Sequence, residues 1–198
     1  MVFGTERTPI RTLDLFTHAS RICRFGGALP WTLLQHSALC VALGYRKRLP
    51  DPVVAAVAAH DLHEVYVGDV VAALKQVLPE YKARVETPWE AHVHRALRIS
   101  WPLEVADKAA VKAIDIRALA VEMVVLGHPR AARIAQERSD YGIPIDAFER
   151  WLATTIQNLP PAAAWEVVAS ACGIVDLPNA GEATARVQRP AHGQGTSG

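Results

Sequence analysis

The sequence predicts an all-α fold in a single domain. Three observations lead there. Apolar residues recur at helical spacing of three and four along most of the chain. Prolines stand where such segments open and glycines where they close, the asymmetry expected of helices. There is no run of alternating apolar and polar residues that would make strands, and no internal repeat. With 198 residues, 51% apolar and 21% charged, the chain has enough material for one core.

The elements follow in order. Residues 1–11 read as an irregular lead-in. From Thr12, the positions Leu13, Phe16, Ala19, Ile22 and Cys23 share one face of a helix that should stop at Gly26-Gly27. A second helix is expected from Pro30 to Gly44, with Leu33, Leu34, Ser37, Cys40 and Val41 along one side. After the basic loop Tyr45-Arg46-Lys47-Arg48, Asp51 should cap a third helix that Pro52 opens and Gly68 ends. Residues 69–78 form a short helix or a loop. Thr87-Pro88-Trp89-Glu90 has the pattern of a capping box, opening a helix to Ile99. The longest helix should run from Pro102 to Gly127, followed by one from Pro144 to Leu159 and one from Pro161 to Cys172. The domain is read as residues 1–178. Residues 179–198, rich in Gly, Ala, Thr, Gln and Arg, read as a disordered tail.

Charge and cysteine usage narrow the function. The net charge of +1 gives no bulk affinity for nucleic acid or an acidic membrane, and no apolar run is long enough to span one. Residues 1–7 lack the layout of a signal peptide. Cys23, Cys40 and Cys172 are odd in number and widely spaced, so they read as reduced thiols packed in helices. Together these point to the cytoplasm.

The densest chemistry is His60-Asp61-Leu62-His63-Glu64, directly after the apolar run Val53 to Ala59. A His-Asp pair at the end of a buried element needs compensation, and a divalent metal supplies it. His36 lies on the apolar side of the neighbouring helix. Alone it would read as a core histidine; beside the pair it reads as a ligand. Asp115 sits mid-helix, with Lys108 and Lys112 on its face. On a solvent face these would be unremarkable; in a cleft they would serve a metal and a phosphate.

Other constellations fail on spacing. His60, His63 and Glu64 match neither order of a zinc-peptidase helix, and His92 and His94 point apart on theirs. Neither a P-loop nor a Gly-x-Ser-x-Gly elbow is present.

His36, then His60-Asp61, then Asp115 resembles, in order and rough spacing, the HD superfamily of metal-dependent phosphohydrolases. Ser20-Arg21-Ile22-Cys23-Arg24-Phe25-Gly26-Gly27, Gln35-His36-Ser37, His60-Asp61-x-x-Glu64-x-x-x-Gly68-Asp69 and Lys112-x-x-Asp115 look like its small nucleotidase branch. That branch includes bacterial 5′-deoxynucleotidases and related phage enzymes, dATP triphosphohydrolases among them. The likeness covers roughly residues 10–127.

The resemblance implies an HD-type helical domain in which His36, His60, Asp61 and Asp115 hold one divalent metal: Zn²⁺, Co²⁺ or Mn²⁺, with Mg²⁺ as a further option. Metal-activated water would attack the phosphorus of a 2′-deoxynucleotide. Glu64, four residues after His60, and Asp69 are the candidates for proton transfer. Arg21 is the first choice for phosphate, with Arg24, Lys75, Lys82, Lys108 and Lys112 as further cations. Relatives set an aromatic after their arginine to crowd a ribose 2′-OH. Ile22 follows Arg21 here, so Trp31 or Tyr66 would take that part. Ile22 and Pro79 would line a purine slot, with Trp89 stacking on the base, although each is equally suited to the core. Cation count and the missing aromatic lean the expectation toward a dATP triphosphohydrolase, with a 5′-deoxynucleotidase as the alternative. A non-catalytic regulatory HD domain is the reading of another class. The expected partner is a small-molecule deoxynucleotide, and relatives suggest a homo-oligomer through the helices after Pro144.

Overall fold

Thr32 to Ala59 builds the centre of the fold. The Thr32 hydroxyl accepts from the Gln35 backbone N–H, and the Gln35 side chain accepts from the Thr32 backbone N–H, closing a capping box. This starts helix α2, Leu33–Arg46, in which Leu33, Leu34, His36 to Val41 and Leu43 are all buried. Helix α3, Asp51–Ala59, is almost wholly Val and Ala. Its small side chains allow close approach, so Gly44 of α2 packs near Val54. In this computed structural model the described residues are 9–70, 72–129 and 144–174.

The other elements surround that pair. Helix α1 is Thr12–Ala19, and after α3 come α4, Glu64–Val67, α5, Ala72–Val77, and α6, Pro79–Tyr81. Helix α7 spans Thr87–Ala96, α8 Val105–Val125, α9 Ala147–Gln157 and α10 Pro161–Ala171. α10 lies on α2 and α3, where buried Trp165 meets Phe16 at 5.8 Å between ring centres. α8 packs against the same two helices from another side. The chain is mostly helical, and its extended pairing among the described residues is an isolated antiparallel bridge between Cys23 and Thr32. The all-α expectation stands.

Several boundaries differ from expectation. α1 ends at Ala19 rather than at Gly26-Gly27. Beyond it Arg24 N donates to Trp31 O and Leu33 N to Ile22 O, so residues 22–33 fold back on themselves. Cys23 is exposed there rather than packed in a helix. α2 starts after Thr32, not at Pro30, because the side-chain cap fixes its first turn, and it runs past Gly44 to Arg46. Asp51 is the first helical residue of α3 rather than its cap.

α3 stops at Ala59. Leu62, Glu64, Val65 and Tyr66 donate to carbonyls three residues back, a tighter winding than the α-helix. Gly68 closes α4 at φ 83°, a conformation that glycine adopts without steric cost.

The Thr87 capping box does not form; Thr87 is already helical and makes no side-chain cap. Residues 82–86 form a π turn leading straight into α7. Pro88 accounts for this. It has no N–H to donate to Arg84, and its ring would press on that carbonyl, so a widened turn relieves both problems. α8 begins at Val105, not Pro102. The expected tail and the boundary at 178 lie outside the described residues, and among those described no helix is long and apolar enough to cross a membrane.

Candidate metal centre

Four of the expected groups converge from three elements. α2 contributes His36, the turn after α3 contributes His60 and Asp61, and α8 contributes Asp115; their ligand atoms all lie within 4.8 Å of one another. His36 Nε2 is 3.3 Å from His60 Nε2, 3.4 Å from Asp61 Oδ2 and 3.5 Å from Asp115 Oδ1. His60 Nε2 is 3.2 Å from Asp61 Oδ2 and 3.8 Å from Asp115 Oδ1. A tetrahedral ion at about 2.0–2.1 Å from each ligand would set edges of about 3.3–3.4 Å. The spacing therefore fits a bound metal ion.

The hydrogen bonds orient the rings. His60 Nδ1 donates to the Val57 carbonyl at 2.7 Å. His36 Nδ1 donates to Glu122 Oε1 at 2.5 Å, since an ionised carboxylate can only accept. In the neutral rings both Nε2 atoms then carry lone pairs, aimed at each other and at two carboxylates. Such a set of acceptors repels itself unless a cation or protons join it.

Charge gives the same result. Asp61, Asp115 and Glu122 face one buried cation, Arg24, whose Nη1 donates to Asp61 Oδ2 at 3.1 Å and whose Nε lies 3.5 Å from Glu122 Oε2. With Lys112 Nζ 2.6 Å from Asp115 Oδ2 as the second cation, the three carboxylates keep one excess negative charge, which a metal ion or an imidazole proton would balance. Burial would lower the pKa of both rings, yet with protein groups alone both sit well above the usual histidine value. Cys40, Glu122 and Asp115 hold His36 up against burial and the Arg24 charge, and Asp61 and Asp115 hold His60 up. Burial likewise favours protonation of Asp61 and Asp115, but the facing imidazoles outweigh it and hold both carboxyls far below their ordinary range.

Glu64, the first residue of α4, is buried beside the cluster, with Lys75 Nζ 3.8 Å from Oε1. Burial, then the charges of Asp61 and Asp69, push its pKa up to about 9. Asp69 is partly exposed beyond Gly68. Lys75 also pairs with buried Glu86, which the π turn directs inward. Glu90 of α7 has its pKa raised to about 7, by burial first, with His60, Asp61, Lys82 and Lys108 acting on it.

The cations are placed differently from expectation. Arg24 reaches the cluster, whereas Arg21 is exposed on the turn. The fold-back of residues 22–33 turns the later arginine inward. The residue after it is Phe25, an aromatic. Lys112 pairs with Asp115 at 2.6 Å, and Lys108 and Lys82 are exposed.

The aromatic assignments fare less well. Trp31 is fully buried in the core, so no sugar reaches it. Tyr66 is stacked on Trp89 at 4.8 Å, and its hydroxyl lies toward Arg11 and Asp14. Trp89 is itself buried, with Tyr66 on one face and His92 edge-on to its ring. Ile22 packs against the core. Pro79 opens α6, and its side chain is outside those described. His63 is buried, its Nδ1 donating to the His60 carbonyl at 3.0 Å.

Sequence reasoning missed Glu122, Glu86 and Glu90. Glu122 had a signal: it is a lone acid in the apolar run Ala-Val-Glu-Met-Val-Val, two helical turns after Asp115.

No family model matches the chain. A stretch of 116 residues, 58% of the chain, is 32% identical to the uncharacterized protein YfdR of Escherichia coli strain K12. The match covers 60% of that protein's length.

Proposed function

We propose that this protein is a metal-dependent phosphohydrolase that cleaves the 5′-phosphate ester of a 2′-deoxynucleotide. The convergence of two imidazole lone pairs and two carboxylates on one point carries this reading. A bound divalent ion would supply Lewis acidity and a water of lowered pKa. The Nη2 end of Arg24 is assigned to a phosphate oxygen, its Nη1 and Nε being turned to Asp61 and Glu122. The oxygen of water joins phosphorus and the P–O5′ bond breaks. Glu64, buried at the head of α4 beside the cluster, is assigned to give a proton to O5′. The proton of the water passes to Asp69 or to solvent.

Breaking the same bond gives triphosphate from a dNTP or phosphate from a dNMP. Lys82 and Lys108, exposed and near enough to act on Glu90, support the longer chain and a dATP triphosphohydrolase. Phe25, directly after Arg24, supports a 5′-deoxynucleotidase, because the resembling enzymes keep an aromatic there against a 2′-OH. Exposed Phe148 and Trp151 on α9 are the surface assigned to self-association.

The deciding experiment incubates metal-loaded protein separately with dAMP, dATP, dGTP and ATP and resolves phosphate, triphosphate and nucleoside. Deoxyadenosine with triphosphate from dATP identifies the triphosphohydrolase, and phosphate from dAMP alone identifies the nucleotidase. Silence on all four, with metal bound, refutes the enzyme and leaves the regulatory reading. Asp61→Ala is expected to remove both metal and turnover, and turnover that persists in it would refute the site.

A further inference from the structure

We infer that Glu122 is a positioning residue that sets the metal affinity of the centre by clamping His36 and Arg24 with one carboxylate; the inference rests on the metal-dependent reading above. Glu122 is fully buried on α8, between the core residues Val121 and Met123. An ionised carboxylate without water is costly unless its oxygens are engaged. Its two oxygens face two different groups. Oε1 accepts from His36 Nδ1 at 2.5 Å, which fixes the tautomer and leaves the Nε2 lone pair pointing at His60, Asp61 and Asp115. Oε2 makes no hydrogen bond among the described residues and is engaged by charge alone, 3.5 Å from Arg24 Nε. The other end of that guanidinium donates to Asp61 Oδ2, the same oxygen that faces His36 and His60. Glu122, His36, Asp61 and Arg24 thus close a ring around the centre, and Glu122 belongs to it without offering an atom to the metal.

The isosteric change Glu122→Gln separates this role from simple packing. Its carbonyl can still accept from His36, as a weaker neutral bond, but its amide presents a donor to the donor on Arg24. His36 is held less firmly, and Arg24 loses its counter-charge. Loss of such an outer partner lowers metal affinity by about 10–100-fold. Glu149→Gln is the matched control: Glu149 is also a buried acid paired with arginine, through Arg117 at 2.5 Å, but it lies on α9 away from the centre.

The probe is Co²⁺, titrated into metal-free protein and followed by its visible absorption, with folding checked by circular dichroism. Wild type and Glu149→Gln should bind alike, and Glu122→Gln at least 10-fold more weakly with an altered band, as expected for a disturbed ligand. Should Glu122→Gln not fold, Glu122→Asp keeps the charge but not the reach, and the same weakening is expected. Wild-type affinity in either folded variant overturns the inference while leaving the metal reading intact. Absence of Co²⁺ binding by the wild type refutes the metal reading, and the inference with it.

Discussion

His94 of α7 is fully buried, and its Nε2 has no hydrogen-bond partner among the described residues. Burial pushes its pKa down to about 4, against the weak support of the Ser100 carbonyl, 3.4 Å from Nδ1. The ordinary histidine value is about 6.5. Between the two values the unfolded chain binds the proton more readily than the native protein, so stability rises with pH across that window. The contribution is complete above the unfolded value and is lost as pH falls through the folded one. The shift corresponds to at most about 3 kcal/mol. His94→Phe keeps a ring against Trp101 but cannot titrate. In urea unfolding, the stability difference between variant and wild type should move in the variant's favour by up to about 3 kcal/mol from pH 7 to pH 4. A difference independent of pH would show that the ring charges within the fold.

α2 is the element on which the site depends most, since it carries His36 one turn after its cap. Substitution of an N-cap threonine by alanine costs about 1 kcal/mol. Thr32→Ala removes the acceptor of the Gln35 N–H and opens the capping box. Its urea midpoint should fall by an amount equivalent to about 1 kcal/mol with an unchanged slope. An unaltered midpoint would mean that packing alone fixes the start of α2. The tight turn after α3 acts in a complementary way. Its three-residue bonds let His60 and Asp61 address one point, and they place Glu64 at the head of a separate short helix.

The centre joins parts of the molecule that are remote in sequence: α2, the turn after α3, and α8. A ligand that binds only this assembled state stabilises the whole fold by mass action, by about 4 kcal/mol at a thousandfold excess over Kd. Zn²⁺ or Mn²⁺ should therefore raise the Tm by several degrees in a thermal scan, and a chelator should reverse the rise. In Asp115→Ala the rise should vanish, since a ligand is missing while the core residues around it remain. An equal rise in that variant would place the bound metal elsewhere.

The helical class and the presence of α2, α3, α8 and α10 were legible from periodicity, and the four groups that converge from their resemblance to a known motif order. Spacing dictates which side chains share a helix face, and His-Asp at the end of an apolar run is costly wherever it packs. That Arg24 rather than Arg21 reaches the carboxylates was decided only in three dimensions, by backbone bonds from 22 to 33 that no local pattern encodes. The π turn before Pro88 was settled there too, because a capping box and a continued helix share the same residues. Trp31 had the right chemistry for a pocket but lies in the core, since burial depends on neighbours from other elements. Glu122 gained its meaning only when α8 brought it against His36, some 86 residues away in the chain. An isolated acid in an apolar run shows that a partner is required, and tertiary packing decides which partner it meets.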